Sequence, residues 1–484
     1  MKTLAALLAV SCWGALSHAS VVRTRPLKSS PATVRLSSPR SPLEPLHLQV
    51  EAFGQRHNLR LQPALSPLSV DFKLQRTAIN EQGQVIIEDV AMEGEDAPLY
   101  EDPETGSVVT LDDNKVEGII TPTLTLMAAS DGTHQAVRQY SAMPLHETRD
   151  YLEVPSGVLY NQNSSTNTRA VTSVSPEVYI IVDSTLAKQL GSNTKVRKYL
   201  SVFWNAVNQR YAAISDPKIK LVLSGALIVR KSAHEPYIND NFLLDNYIDG
   251  ANTLNSVSDW LFQKKDDLSA YDLAYLMTGK DMADVQAGTI KEGLSGIAWK
   301  GAACVVAEAN KRSFNTGMGE DQGAYYVGVM TAAHEVAHNL GSPHDGEGEA
   351  TSCSWDDGYI MSYVSGKLNK LLFSPCSQKL MKKYFMTSDA DCLHKAAMVP
   401  TINLSSKLPG ELIPMDKQCQ KATGQTNAFA SKQVSEDSLC VELVCQWKVK
   451  EGNSVFTYTK STGDPAAEGS ACRSGGVCTD GSCQ

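Results

Sequence analysis

The stretch His334-Glu335-Val336-Ala337-His338-Asn339-Leu340-Gly341-Ser342-Pro343-His344-Asp345 decides the fold. Residues four apart share one face of a helix, so His334 and His338 can present two nitrogens to one ion, with Glu335 beside it. Gly341 can adopt the left-handed backbone that ends a helix, and Pro343 cannot continue one. The chain therefore turns back here, and the turn can deliver His344 as a third ligand.

Three protein ligands leave a fourth tetrahedral position for water, which is typical of a catalytic zinc site. A structural zinc site usually fills all four positions with Cys or His, and this stretch contains no cysteine. The spacing predicts one catalytic Zn²⁺ bound by His334, His338 and His344, with Glu335 as the catalytic residue. The alternative is a coincidence of histidines on a helix, which the added Gly, His and Asp make rare.

The pattern H-E-x-x-H-x-x-G-x-x-H-D resembles the zinc signature of the metzincins, and the final Asp345 is similar to the adamalysin (reprolysin) branch. Tyr359-Ile360-Met361-Ser362-Tyr363 resembles the Met-turn, which implies that Met361 is an apolar floor beneath the histidines rather than a ligand. Gly296-Ile297-Ala298-Trp299 matches the edge strand of these proteases. Such a strand pairs with an extended chain by main-chain hydrogen bonds, which favours a peptide substrate.

The N-terminus is typical of a secretory signal peptide, residues 1–19, with an apolar run from Leu4 to Leu16 that is too short to span a bilayer. No later stretch approaches a membrane-spanning length, so we expect a secreted, extracellular protein without a membrane anchor. The formal net charge of -9 argues against a nucleic-acid partner, because phosphate binding needs concentrated Lys and Arg.

The cysteines support an oxidising compartment. Of the 11 cysteines, Cys12 lies in the expected signal peptide and the other ten all lie from Cys304 onward, which predicts five disulfides. Two N-glycosylation triplets, at Asn163 and Asn403, fit the secretory route.

Beyond the expected signal peptide, the chain divides by pattern into four segments. Residues 20–170 show short alternating runs and predict a β-rich pro-region; residues 171–396 alternate strands and helices and predict an α/β, reprolysin-like catalytic domain. Proline-rich residues 397–418 predict a linker, and residues 419–484, with six cysteines, predict a small disulfide-rich module. Stabilisation of the fold and docking of substrate are both open roles for this module.

Many relatives are kept inactive by a propeptide cysteine that takes the water position on the zinc, yet no cysteine lies between Cys12 and Cys304. Any inhibition by the pro-region must then be steric or use another ligand. No multibasic activation site is present in the sequence, and Arg169 is our expected activation point.

The family resemblance carries further implications. It implies that Cys304 pairs with Cys392 and Cys353 with Cys376, although the sequence alone allows three connectivities for these four cysteines. Some relatives bind a structural calcium; Glu177 and Asp272 match two of those ligands, but Lys395 replaces the third, and a cation there disfavours Ca²⁺.

These observations predict a secreted zinc metalloendopeptidase acting on extracellular proteins. The layout is similar to salivary metalloproteases of blood-feeding ticks, which implies fibrin, fibrinogen or matrix proteins as substrates. Metalloproteases with a distant Glu as third ligand are disfavoured by His344. A secreted binding protein with a structural zinc is the alternative of a different class, and Glu335 argues against it because a structural site needs no base.

Overall fold

The structure is a computed structural model that describes residues 27–37, 45–91, 97–112, 115–129, 131–138, 149–159, 171–243, 247–323, 325–364, 367–395, 414–451, 454–463, 465–467, 469–472, 476–479 and 482–484. The expected signal peptide, both glycosylation triplets, Arg169 and most of the expected linker lie outside the described residues.

The N-terminal part of the chain is built from β-strands. Apolar side chains alternate along them, as in Leu48 and Val50 or Leu59 and Leu61, and these four residues are buried in one core. Eight of the ten strands (all except β4 and β5) close into a barrel. In chain order the strands are β1 Lys28–Ser37, β2 Leu46–Ala52, β3 Gln55–Pro63, β4 Leu68–Ile79, β5 Val85–Asp89, β6 Leu99–Asp102, β7 Ser107–Asp112, β8 Lys115–Thr121, β9 Leu124–Ala128 and β10 His134–Arg138.

The second part is organised around a mixed sheet of eight strands. Its strands and the smaller pairings beside it are β11 Tyr151–Glu153, β12 Ser173–Val174, β13 Glu177–Val182, β14 Lys218–Ile219, β15 Val222–Ile228, β16 Tyr247–Asp249, β17 Leu273–Thr278, β18 Asp281–Gln286, β19 Thr289–Leu294, β20 Gly296–Lys300, β21 Val306–Ala307, β22 Arg312–Ser313 and β23 Thr316–Glu320. The order in the sheet is β11-β20-β23-β17-β13-β15-β4-β5. The pairs β20–β23 and β4–β5 are antiparallel, and the other neighbouring pairs in this sheet are parallel.

Helices cover both faces of this sheet, which explains why β13 is buried on both sides. Val178, Ile180 and Val182 pack in one core, whereas Tyr179 and Ile181 pack in another. The helices are α1 Ser184–Leu190, α2 Asn193–Tyr211, α3 Pro236–Asn239, α4 Gly250–Lys264, α5 Val329–Asn339 and α6 Pro375–Phe385.

Two disulfides stabilise this part of the chain. They join Cys304 to Cys392 and Cys353 to Cys376, so the connectivity implied by the family resemblance is confirmed. Both lie outside the stretch that carries the three histidines.

The C-terminal module has its own small core around three further disulfides, Cys419–Cys445, Cys440–Cys478 and Cys472–Cys483. Its elements are α7 Met415–Thr423, α8 Glu436–Val441, β24 Phe429–Ala430, β25 Val444–Glu451, β26 Ser454–Ser461, β27 Ala471–Cys472, β28 Gly476–Thr479 and β29 Ser482–Cys483. The helix α7 begins inside the segment that the sequence pattern assigned to the linker. Among the described residues, no helix is both long and apolar enough to cross a membrane.

Candidate metal centre and active site

The helix α5 carries the first two histidines on a buried face. His334, Glu335 and His338 are all nearly inaccessible to solvent, while Val336 and Leu340 pack in the core cluster on α2 and the sheet. The helix ends as the sequence predicts, because Gly341 has a φ of +96° and the amide of Ser342 donates to the carbonyl of Ala337 at 2.9 Å.

The reversal after Gly341 brings His344 back to α5. The ring centroid of His344 lies 5.3 Å from that of His334 and 4.9 Å from that of His338. The Nε2 atoms of His334 and His338 are 3.0 Å apart. The structure therefore places the three predicted ligands in one cluster.

Each imidazole is oriented by an acceptor at its other nitrogen. His334 Nδ1 lies 2.8 Å from the carbonyl oxygen of Ile360, and His338 Nδ1 lies 2.7 Å from that of Ser342. His344 Nδ1 lies 3.3 Å from a carboxylate oxygen of Glu347. Because these oxygens only accept, each Nδ1 carries the proton and each Nε2 presents a lone pair to the centre, as metal-binding histidines do.

This donor set fits zinc. Zinc bonds imidazole nitrogen at about 2.0–2.1 Å in a tetrahedron, which places two ligand nitrogens about 3.3 Å apart. The three histidines and Asp150 offer ligand atoms that all lie within 4.8 Å of one another, and all four residues are buried. Asp150 Oδ1 is buried without a hydrogen-bond partner, as expected for an atom that faces a metal ion.

Asp150 is the part of the cluster that sequence reasoning missed. Its Oδ2 lies 3.0 Å from His334 Nε2 and 3.1 Å from His344 Nε2, and the Tyr363 hydroxyl donates to it. It comes from the segment expected to be pro-region, 184 residues before His334. Nothing in the local sequence distinguishes it from other acidic residues there.

The cluster has strong electrostatic effects. Burial lowers the pKa of His338 to about 4. Burial acts the same way on His344, but the Asp150 and Glu347 carboxylates outweigh it and raise the pKa of His344 to about 9. Burial alone would raise the pKa of Asp150. The charge of His344 and hydrogen bonds from the three histidines outweigh burial, so the pKa of Asp150 lies well below its usual range.

Glu335 lies against the first residue of β20. A Cβ on Gly296 would meet Glu335 Oε1 at 2.6 Å and Thr331 Cγ2 at 2.6 Å. Glycine at this position therefore makes room for the carboxylate, a role that the sequence alone did not reveal. Burial, and then the Asp150 carboxylate, raise the pKa of Glu335 well above its usual range.

Asp345 and Met361 lie next to the three histidines and connect them to the surrounding fold. The Asp345 carboxylate accepts from the hydroxyl groups of Ser374, the N-cap of α6, and Ser377. The amide of Asp345 donates to the carbonyl of Met361 at 3.0 Å, and Met361 is buried in the core cluster. Asp345 thus ties the third histidine to α6 and belongs to no group of metal-ligand atoms among the described residues.

Glu177 and Asp272, which match calcium ligands of some relatives, lie close together, and the Lys395 ammonium group is near both. The amide of Glu177 donates to Asp272 Oδ2 at 2.9 Å. Burial raises the pKa of both carboxyls, while Lys395 lowers each, so its ammonium group acts on both. The expectation against calcium stays a prediction.

The fold and the site together define a zinc metalloendopeptidase domain. Residues 197–345 match the model of the reprolysin-like metallopeptidases of family M12B, and residues 409–484 match the ADAMTS cysteine-rich domain 2.

The chain is similar to several proteases. A protein described as "A disintegrin and metalloproteinase with thrombospondin motifs like", from Bombyx mori, is 32% identical over 64% of this chain, which spans 44% of that relative. The venom metalloproteinase antarease-like TserMP_B of Tityus serrulatus is 30% identical over 45% of this chain and 95% of its own. Metalloproteinase-II of Bacteroides fragilis, at 8% identity, covers 69% of this chain and 90% of its own with a TM-score of 0.37, too low to support an inference.

This chain belongs to the reprolysin-like metallopeptidases of family M12B.

Proposed function

We propose that the chain is a secreted zinc-dependent endopeptidase that hydrolyses peptide bonds in extracellular proteins. The observation that carries the proposal is the convergence of three Nε2 lone pairs, each fixed by an acceptor at Nδ1, beside the buried carboxylate of Glu335. A zinc ion with only a structural role needs no such carboxylate.

His334, His338 and His344 would hold the zinc. When bound, zinc supplies a Lewis acid that polarises the scissile carbonyl and lowers the pKa of water toward about 7. Glu335 takes a proton from the attacking water and passes it to the leaving amine, so one carboxylate serves first as base and then as acid.

The edge strand β20 would hold the substrate main chain. On one side it pairs with β23, and its other side offers main-chain groups such as the amide of Ala298, which here donates to the Asp150 carbonyl at 3.0 Å. A sheet edge of this kind recognises an extended peptide independently of most side chains. Fibrin, fibrinogen and matrix proteins are the substrate class we propose, on the resemblance to tick salivary proteases.

We propose the same division of the chain as the sequence predicts: signal peptide 1–19, pro-region 20–170, catalytic domain 171–396, linker 397–418 and cysteine-rich module 419–484. The match of residues 409–484 to an ADAMTS cysteine-rich domain supports a separate module. Docking of protein substrates is its proposed role.

The test is cleavage of a panel of native and denatured clotting and matrix proteins by the mature chain, with and without a chelator, beside Glu335→Gln. We expect chelator-sensitive cleavage that falls by about 10²- to 10⁴-fold in the variant, with zinc still bound. If both proteins bind one zinc and neither cuts any protein, the chain is a binding protein with a structural zinc.

A further inference from the structure

The segment around Asp150 brings a negative charge into the proposed metal centre. Asp150 Oδ1 lies 2.9 Å from His344 Nε2 and 3.5 Å from His338 Nε2, while Oδ2 lies 3.0 Å from His334 Nε2. The Asp150 side chain is only 4% exposed. One carboxylate thus faces all three imidazoles at ligand distance from a common centre.

This arrangement needs a positive charge. With each Nδ1 donating to its own acceptor, neutral imidazoles point their Nε2 lone pairs at carboxylate oxygens that also carry lone pairs. Such contacts repel unless a positive charge lies between them, either a metal ion or, in its absence, a second proton on an imidazole. A zinc ion shared by three imidazoles and one carboxylate satisfies every one of these atoms.

The backbone next to Asp150 occupies the edge where substrate is proposed to bind. Strand β11 pairs with β20, with Tyr151 opposite Ala298 and Glu153 opposite Lys300. The segment is anchored on both sides of the carboxylate, since the Arg149 amide donates to Asp284 Oδ2 at 3.2 Å.

Side chains also hold this segment in place. The Tyr151 hydroxyl donates to Glu347 Oε2 at 3.1 Å, and its ring centroid lies 4.7 Å from that of His338. Glu153 forms an ion pair with Lys300, and Val154 is buried in the core cluster that contains Trp299. The segment is therefore packed as part of the domain.

We infer that Asp150 is a built-in latch: its carboxylate supplies the fourth ligand to the zinc while β11 fills the substrate edge, so the uncleaved chain is inactive. The inference rests on the proposed function, since it needs a zinc at the three histidines. It provides the non-cysteine ligand that a pro-region without cysteine requires.

The test uses the uncleaved chain in a Glu335→Gln background, which prevents self-cleavage, loaded with Co²⁺ in place of zinc. The visible spectrum of Co²⁺ reports its ligands, and acetohydroxamate reports whether a coordination position is open. We compare Asp150 intact with Asp150→Asn, which keeps the shape but removes the anionic ligand. Glu153→Gln, three residues further along at the end of β11, is the matched control.

We expect Asp150→Asn to change the Co²⁺ spectrum and to bind acetohydroxamate at least about tenfold more tightly, because a latch closed nine-tenths of the time raises the apparent Kd tenfold. Glu153→Gln should leave both unchanged. A Co²⁺ spectrum and an acetohydroxamate affinity that are the same in the parent chain and in Asp150→Asn would overturn the latch.

Two further measurements keep the outcomes separate. Failure of the parent chain to bind Co²⁺ at all would overturn the proposed function together with the latch. Bound Co²⁺ whose spectrum and acetohydroxamate affinity do not depend on Asp150 would overturn the latch alone. If Asp150→Asn does not fold, the uncleaved chain is compared with chain that has been cut after Arg169, separated from its N-terminal fragment in denaturant and refolded. The spectrum must then change on removal of the fragment, and no change contradicts the latch.

Discussion

Glu335 depends on the absence of a side chain at Gly296. We predict that Gly296→Ala lowers kcat of the mature enzyme by about 10- to 100-fold, because the added methyl group would displace the base, and small displacements of a catalytic group have effects of this size. Zinc content should be unchanged. The measurement is steady-state hydrolysis of a short peptide with metal analysis of the same sample.

Gly288→Ala is the control for this prediction. Gly288 has a φ of +80°, but a Cβ added there would have no neighbour within 4 Å, so the change strains the backbone without crowding the site. It should cost stability of about 1 kcal/mol and leave kcat unchanged. Equal losses of activity in the two variants would mean that a general loss of stability, and not the position of Glu335, is responsible.

At the scale of residues, the sequence predicted the three histidines and Glu335 because one helical turn and one glycine-ended reversal set their relative positions. Both are local. Asp150 could not be found in the same way, since it reaches the site through β11, and strand pairing across more than a hundred residues leaves no local mark. The role of Gly296 depends on a contact between β20 and α5 that the local sequence does not show.

At the scale of elements, one buried side chain of α5 bonds to two strands of the sheet. Asn339 Nδ2 donates to the carbonyl of Trp299 at 2.9 Å and to that of Thr316 at 3.0 Å, so it ties the zinc helix to β20 and to β23. We predict that Asn339→Ala lowers the free energy of unfolding by about 2 to 4 kcal/mol, because two buried carbonyl groups lose their donor. Chemical denaturation followed by tryptophan fluorescence measures it.

Asn369→Ala is the matched change on the surface. Its amide donates one exposed bond, to the carbonyl of Asp357 at 3.1 Å, and its loss should cost less than about 1 kcal/mol. If both variants lose the same stability, Asn339 is not the connection that the structure indicates.

The alternation of strands and helices in the catalytic part was predictable, but the exact start of α5 was not. It begins at Val329, because Asp321 Oδ1 accepts from the amide of Gly328 and Tyr326 has a φ of +59°. These features hold residues 325–328 in turns. The hairpin β18–β19 was not predicted, since the side chains of β19 are mostly exposed and show no apolar periodicity.

At the scale of the whole molecule, the expected pro-region and catalytic domain share one sheet. Strand β4 pairs in parallel with β15, and Phe72 and Leu74 pack in the core cluster that contains α2 and α5. The sequence predicted strands here but not the sheet that they join, because alternation gives a strand its faces and not its neighbours.

We therefore predict that cutting the chain after Arg169 does not release the N-terminal fragment. Both pieces should elute together in gel filtration and separate only in denaturant. Phe72→Asp, which buries a charge on β4, should free the fragment, whereas Val70→Asp, at a position 66% exposed on the same strand, should not. Immediate separation of the unmodified fragment would contradict this view of the shared sheet.

The cysteine-rich module has a core of its own, so its removal should leave the zinc site intact. We predict that deletion of residues 414–484 leaves hydrolysis of a short peptide unchanged and lowers cleavage of a native matrix protein. Rates for both substrates, measured on the same preparation, test this. Parallel loss on both would show a structural role instead of docking.

The most direct test of the central claim is zinc K-edge X-ray absorption on the purified mature chain. We expect one zinc with three imidazole nitrogens and oxygen at about 2.0–2.1 Å, and loss of one imidazole in His344→Ala. Sulfur scattering at about 2.3 Å, or three imidazoles retained in that variant, would contradict a zinc site built by His334, His338 and His344.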